Sequence, residues 1–185
     1  MWVKNLAFAT ALAMCACAPH APQLHGMQLE PAPQAADFTL TDQYGKPFTL
    51  SHTGGQAVAL YFGFTHCADV CPRTLALLSN ARAQAHLNVS QLRIVMITVD
   101  PHRDSRAALQ RFFEKVGVQA TGLTGSPAAL RAVYRAYGIA VQPQKRDIAH
   151  TSTIFLIDSH GRLRETLVPE VSAKDIAADL RAVVD

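Results

Sequence analysis

The chain has 185 residues, of which 49% are hydrophobic and 17% are charged, and its formal net charge at pH 7 is +3. This length allows one domain with a substantial hydrophobic core plus a short extension. The 17 basic residues are scattered along the chain rather than clustered, which argues against a nucleic-acid-binding surface. The composition therefore predicts one globular domain with no nucleic acid as partner.

The N-terminus has the pattern of an export signal. Lys4 precedes an apolar run from Leu6 to Ala18, which is too short to span a bilayer and ends in small residues. Its last part is similar to a bacterial lipobox, in which a cysteine becomes the lipidated first residue. We expect residues 1–17 to be the signal, with Cys17 or Cys15 carrying the lipid on the periplasmic side of a bacterial membrane. A plain cleaved signal peptide is the alternative.

The segment that follows is rich in Pro, Ala, His and Gln and has no periodic apolar pattern. Such composition is typical of a linker. We therefore predict a flexible tether over residues 18–35 and a folded domain over residues 36–185.

The first half of the domain predicts a hairpin followed by a βαβ unit. Two short β-rich runs flank an Asp-to-Gly turn at residues 42–45, which indicates the hairpin. The apolar run 57–64 predicts a buried strand, Pro72 opens a helix to about His86, and residues 92–99 form a second strand. The two strands should be parallel neighbours.

The second half predicts three more helices and a second hairpin. A helix should start near Asp104, and Ser126-Pro127 caps another that ends before Gly138. The strand 153–157 should return antiparallel over residues 163–168, and a last helix should follow Ser172. This layout predicts an α/β, thioredoxin-like fold with an extra N-terminal β-hairpin and an inserted helix.

Cys67 and Cys71 are the only cysteines after the predicted signal, and they lie where the first central strand meets its helix. Sites form at this edge of an open α/β sheet. A helix N-terminus favours a thiolate, which is both a redox nucleophile and a soft-metal ligand. A purely stabilising disulfide is disfavoured, because closing so small a loop contributes less than the ~3 kcal/mol of a 15-residue loop. We predict a reactive pair, used for redox cycling or for metal binding.

A metal held by two thiolates needs a further ligand, and imidazole suits copper. His150 lies just before the strand 153–157, on a loop that this layout brings near the cysteines, and spacing alone leaves it equally a ligand or a solvated side chain. His102 is a weaker candidate, and the side chain of His66 should project away from the sulfurs. The other histidines, which we expect to be at the surface, are His20, His25, His52, His86 and His160.

Four segments closely resemble the Sco/SenC/PrrC family of copper proteins. They are Tyr61-Phe-Gly-Phe-Thr-His-Cys-Ala-Asp-Val-Cys-Pro72, Ile97-Thr-Val-Asp-Pro-His-Arg-Asp104, Gly122-Leu-Thr-Gly125 and His150-Thr-Ser. The resemblance runs from about Ala36 to the C-terminus. It implies a membrane-tethered, thioredoxin-like domain that binds Cu(I) and Cu(II) through Cys67, Cys71 and His150.

The resemblance also implies partners and an activity. It implies delivery of copper to the dinuclear copper centre of cytochrome c oxidase, with the copper-centre subunit as partner and other periplasmic copper chaperones or thiol reductants beside it. Some family members are thiol-disulfide reductases, so Cys67 and Cys71 are also the candidate catalytic pair of such an enzyme. Zinc fits the same ligand types, whereas the Cys-x-x-x-Cys-Pro context lacks the loop that a peroxidase requires.

Two positions depart from the family pattern. Ala68 replaces the usual proline after the first cysteine, and Ala149 replaces the aspartate that commonly precedes the ligand histidine. Residues that orient metal ligands tune affinity, often by ~10–100-fold. Asp147 is a candidate substitute for the missing aspartate, and Asp69 is either a charge that tunes the site or an exposed loop acid.

Overall fold

The computed structural model describes residues 24–143 and 148–184 of the chain. The strands are β1 (Met27–Gln28), β2 (Thr39–Asp42), β3 (Pro47–Thr49), β4 (Ala57–Gly63), β5 (Leu92–Thr98), β6 (Thr121–Thr124), β7 (Val141–Pro143), β8 (Ile148–His150), β9 (Ile154–Ile157) and β10 (Leu163–Leu167). The helices are α1 (Val70–Gln84), α2 (Arg106–Val116), α3 (Pro127–Ala136) and α4 (Ala173–Val184), and a short 3-10 turn spans Leu50–His52.

The main sheet has eight strands in the order β1-β10-β9-β4-β5-β6-β2-β3. Strands β4, β5 and β6 are parallel, while β9 runs antiparallel to β4 and β10 antiparallel to β9. β4 is buried along its whole length, as expected of a central strand covered on both faces. A separate two-stranded ladder, β7–β8, lies outside this sheet.

Helices cover both faces of the sheet. Tyr61 and Phe62 are neighbours on β4, so their side chains point to opposite faces. Tyr61 contacts Cys71 of α1, and α1 packs beside α2 and α4. Phe62 packs edge-on against Tyr134 of α3 and tilted against Tyr137, which follows α3. No helix among residues 24–143 and 148–184 is long and apolar enough to cross a membrane.

The predicted fold class is confirmed, as are its βαβ unit and both predicted hairpins. Helix α1 begins at Val70, two residues earlier than predicted, so Pro72 is its third residue. Proline is tolerated there because the first-turn N–H groups have no partner within the helix. Three parts of the described structure were not predicted as strands: β1, which lies in the predicted tether, β6, a four-residue strand containing Gly122, and the β7–β8 ladder.

The structured part of the chain starts upstream of the boundary that we predicted at residue 36. Strand β1 pairs with β10, Leu24 is buried, and Gln34 forms a bridge with Arg162. Residues 24–35 therefore pack on the domain. The predicted signal and the lipid-anchor cysteines lie outside the described residues.

Polar contacts fix this N-terminal segment to α4 and β10. The His25 amide and ring bond the Asp179 carboxylate, with 2.7 Å between Nδ1 and Oδ1, and the Gly26 amide donates to Glu165 Oε1. His25 is thus exposed but paired rather than simply solvated. Burial raises the pKa of Glu165 to about 7, opposed by the Gly26 amide and reinforced by the charge of Asp179. The hydrogen bond to Asp179 raises the pKa of His25 as well.

Stability should therefore fall as pH rises through the window in which only native Glu165 keeps its proton. The unfolded glutamate loses its proton near its ordinary pKa of 4.5 and the native one near 7. The unfolded state thus binds fewer protons in between, at a cost of at most about 3 kcal/mol. The free energy of unfolding, measured with urea, should be the same for Glu165→Gln and the parent near pH 5. At pH 8 it should be higher for Glu165→Gln. The exposed Glu170→Gln is the control, and an equal pH slope in parent and Glu165→Gln would contradict the prediction.

Candidate metal centre

The cysteine loop, residues 65–69, joins the end of β4 to the start of α1. It leaves Cys67 half-buried, whereas Cys71, the second residue of α1, is fully buried. The backbone N–H of Cys71 donates to Sγ of Cys67 over 3.3 Å. Both cysteines are free thiols. The loop thus brings two sulfur-bearing residues together and exposes only one of them.

Cys71 is held against the central strand. The hydroxyl of Tyr61 donates to its Sγ over 3.6 Å. Gly63 makes room for this sulfur, because a Cβ there would lie 3.2 Å from Cys71 Sγ and 2.8 Å from the Tyr61 ring. Burial raises the pKa of Cys71 to about 12. Burial of Cys71 therefore opposes the thiolate that the helix start was expected to favour.

The loop is tied to β5 through the buried carboxylate of Asp104. Its oxygens accept from the Thr65 amide (3.1 and 3.2 Å), the Thr65 hydroxyl (2.6 Å) and the Thr98 hydroxyl (2.6 Å). Thr98 is fixed in turn, since the Tyr134 hydroxyl donates to its carbonyl over 2.6 Å. Burial raises the pKa of Asp104, and the bonds from Thr65 and Thr98 oppose that shift. Asp104 therefore acts as a positioning residue for the loop.

His150 ends β8, at the base of the β7–β8 ladder, opposite Val141. Its ring packs edge-on against Phe64 and Tyr61, with centroids 5.8 and 6.4 Å apart. Its Nδ1 lies 2.9 Å from the Thr151 carbonyl oxygen. A ring that donates from Nδ1 keeps its lone pair on Nε2, the atom that is then available to a metal.

The structure thus places His150 beside the same aromatic side chain as Cys71, because Tyr61 contacts both of them. The donor atoms of Cys67, Cys71 and His150 do not all lie within 4.8 Å of one another. Among residues 24–143 and 148–184, the three donors found within 4.8 Å of one another belong to His66, Asp100 and Asp104. Hydrogen bonds already occupy Asp104, and Asp100 pairs with Arg103.

The other candidates lie at the surface. His66 is exposed and contacts the Thr65 hydroxyl over 3.1 Å, and His102 is exposed on the loop after β5. Asp69 is exposed and pairs with Arg73 over 3.1 Å, which is the geometry of a solvated i,i+4 ion pair. Ala149 is exposed, and Asp147 lies outside the described residues. His52, His86 and His160 are exposed as expected.

Sequence reasoning assigned no role to Asp104, Thr65, Thr98 or Tyr61. One signal was available. Thr65 follows β4 and Asp104 follows β5, and the carboxyl ends of parallel neighbours meet at the same sheet edge. Their contact was therefore predictable, although its geometry was not.

Replacing Asp104 should loosen the cysteine loop. Asp104→Asn puts an amide N–H₂ where one carboxylate oxygen accepts, leaving a buried donor facing other donors. We expect a loss of about 2–3 kcal/mol in the free energy of unfolding, measured with urea. The matched control Asp69→Asn removes an exposed charge and should change stability by less than about 0.5 kcal/mol. Equal effects of the two substitutions would refute the positioning role.

The sequence matches a known protein family. Residues 26–185 match the family described as SCO1/SenC. The mitochondrial protein SCO2 homolog of Mus musculus is 33% identical over 153 residues, which are 78% of this chain and 60% of the mouse protein. The match thus spans less than two thirds of that relative.

Solved structures agree. Copper-bound ScoI of Bradyrhizobium japonicum is 30% identical, with a TM-score of 0.73, covering 81% of this chain and 99% of that one. Apo Sco1 of Thermus thermophilus is 31% identical, with a TM-score of 0.74, covering 86% and 96%. Copper-bound yeast Sco1 is 27% identical, with a TM-score of 0.70, covering 80% and 86%. With its thioredoxin-like sheet and its paired cysteines at the start of α1, this chain belongs to the SCO1/SenC family.

Proposed function

We propose that this protein is a membrane-tethered copper metallochaperone that delivers copper to the dinuclear centre of cytochrome c oxidase. One observation carries the proposal: Tyr61 contacts both Cys71 and His150, and the Cys71 amide donates to the Cys67 sulfur, in a chain 30% identical to a copper-bound relative. Two sulfurs and one imidazole nitrogen suit copper. The ligands are Cys67, Cys71 and His150, and copper is the cargo.

The two sulfurs have different parts in this function. Cys71 lies under Tyr61 with no exposed surface, so it retains the metal away from water. Cys67 is half-buried, so a thiol of the target can reach metal bound there. His150 belongs to a two-stranded ladder outside the main sheet, and it can leave the metal without disturbing the core. A partly open shell of this kind suits transfer rather than permanent storage.

The tether belongs to the same proposal. An N-terminal lipid on Cys17 or Cys15 holds the domain at the periplasmic face of a bacterial membrane, where the copper-centre subunit of the oxidase is the target. Residues 24–35 pack on the domain, so they are not part of a flexible linker.

A second candidate is a thiol-disulfide reductase acting on cysteines of the oxidase or of other exported proteins. The 3.3 Å contact from the Cys71 amide to Cys67 Sγ favours it, because it sets the residues close enough for exchange. In that reaction Cys67 attacks a target disulfide and forms a mixed disulfide. Cys71 then attacks the Cys67 sulfur, which leaves a Cys67–Cys71 disulfide and two thiols on the target. A thiol reductant restores the pair.

Cu(I) titration of the reduced domain tests the ligand set and separates the two functions. Cys67→Ser, Cys71→Ser and His150→Ala should each weaken copper binding by more than the ~10–100-fold typical of losing an outer-shell partner. The exposed His102→Ala is the matched control and should bind as the parent does. His150→Ala should leave disulfide reduction largely intact, whereas both cysteine variants abolish it. Parent-like affinity and spectrum in His150→Ala would overturn the assignment.

Restoring the aspartate before His150 should change copper binding little. The Thr151 carbonyl already accepts from Nδ1 over 2.9 Å, so the ring has the partner that an outer-shell carboxylate often supplies. Ala149→Asp should therefore shift the copper affinity by less than about 10-fold, measured by the same titration. A gain of two orders of magnitude would show that the Thr151 carbonyl does not perform this role.

A further inference from the structure

A groove opens beside the exposed cysteine, between the cysteine loop and α2. It encloses about 600 Å³, and its walls include Cys67 and Ala68 on one side and residues of α2 on the other. Neither Cys71 nor His150 lines it. Of the three proposed metal ligands, the groove therefore includes only Cys67.

The floor of the groove is apolar. Phe112 is buried with only 8% of its surface exposed, and Val116 and Pro72 are half-buried beside it. Cavities of roughly 300–1,000 Å³ with mostly apolar linings are of the size that binds small molecules. The floor thus suits one or two apolar side chains of an extended segment.

The rim of the groove is cationic. Arg111 and Lys115 are exposed and lie four positions apart on α2, and both line the groove. Within the described part of the chain, the side chain of neither residue forms an ion pair or a hydrogen bond. The nearby acid Glu114 instead accepts from Gln110 over 3.0 Å and lines a different cavity. Two unpaired cations beside an apolar floor are complementary to a segment carrying carboxylates.

We propose that this groove receives an extended, acidic segment of the target protein and brings that segment's cysteine to Cys67. The inference rests on the proposed function in taking Cys67 as the sulfur that meets the target. It adds the chemistry of recognition: apolar side chains on Phe112 and Val116, and carboxylates on Arg111 and Lys115.

The chain's own N-terminal segment does not fit this role. Residues 1–29 contain no Asp or Glu, so they cannot neutralise Arg111 and Lys115. Residues 27–28 are already paired with β10, on the far side of β9 and β4 from the groove.

The experiment uses three pentapeptides. Each has a central cysteine activated as a 2-pyridyl disulfide, a leucine on either side of it, and the same residue, Glu, Gln or Lys, at both ends. The protein is the Cys71→Ser variant, so that the product is not resolved. The Cys67 thiolate attacks the peptide sulfur, the sulfur–sulfur bond to the pyridyl group breaks, and pyridine-2-thiolate leaves with the electron pair and takes a proton from water to give pyridine-2-thione. Its absorbance gives the rate.

The Glu peptide should react about 10-fold faster than the Lys peptide at low ionic strength, and added salt should narrow that difference. Arg111→Glu/Lys115→Glu should reverse the preference while leaving the rate with the Gln peptide nearly unchanged. Arg131→Glu/Arg135→Glu, with the same charge change on exposed positions of α3, is the matched control and should behave as the parent.

An acidic preference that survives Arg111→Glu/Lys115→Glu overturns the proposal, as does its loss in the α3 control. Sedimentation velocity tests whether a second copy of the chain occupies the groove instead. A dimer that dissociates in Arg111→Glu/Lys115→Glu would assign the groove to that second copy and would also overturn the proposal. Cu(I) titration of the charge-reversed protein with both cysteines should match the parent. Absent copper binding in the parent would instead refute the proposed function, and the peptide rates would still decide the groove.

Discussion

The position of the cysteine loop depends on the buried carboxylate of Asp104. The loop has no regular structure of its own, and its first polar residue, Thr65, gives both its amide and its hydroxyl to that carboxylate. The second strand of the βαβ unit is joined to the same carboxylate through Thr98. The contact therefore ties the start of the cysteine loop to β5. A carboxylate suits this place because every neighbouring group that it contacts is a donor.

The surroundings of Cys71 favour a metal-bound state over a free thiolate. Burial under Tyr61 raises the pKa of its thiol to about 12, since a lone charge without solvent is costly. A cation that binds the sulfur replaces the proton and supplies the missing countercharge, so the same burial does not oppose a metal thiolate. The half-buried Cys67 lacks this enclosure. The two sulfurs are therefore asymmetric: in the proposed site, Cys71 would retain the metal and Cys67 would present it.

Most of the fold was predictable because its elements follow simple periodicities, whereas the site depended on contacts distant in sequence. The buried runs of β4 and β5 and the capping residue Ser126 appear where their patterns indicate them. Strand β6 was not recognised because it has only four residues, Thr-Gly-Leu-Thr, one of them a glycine, and it depends on pairing with β5 and β2. The docking of His25 was equally hidden, since its partner Asp179 lies 154 residues away. The protonation of Cys71 depends on burial by Tyr61, which no local pattern reports.

The arrangement separates the holding of a metal from the choice of a target. The proposed ligands come from the β4–α1 connection and the β7–β8 ladder, whereas the cationic rim belongs to α2. Helix α2 packs through Leu109, Phe112 and Phe113, so Arg111 and Lys115 are free to change without altering the core. Exposed rim charges act chiefly on encounter and on its salt dependence rather than on the strength of buried bonds. Under the proposed function, substitutions on α2 would therefore change which segment is presented to Cys67, while the affinity for copper would depend on the proposed ligands Cys67, Cys71 and His150.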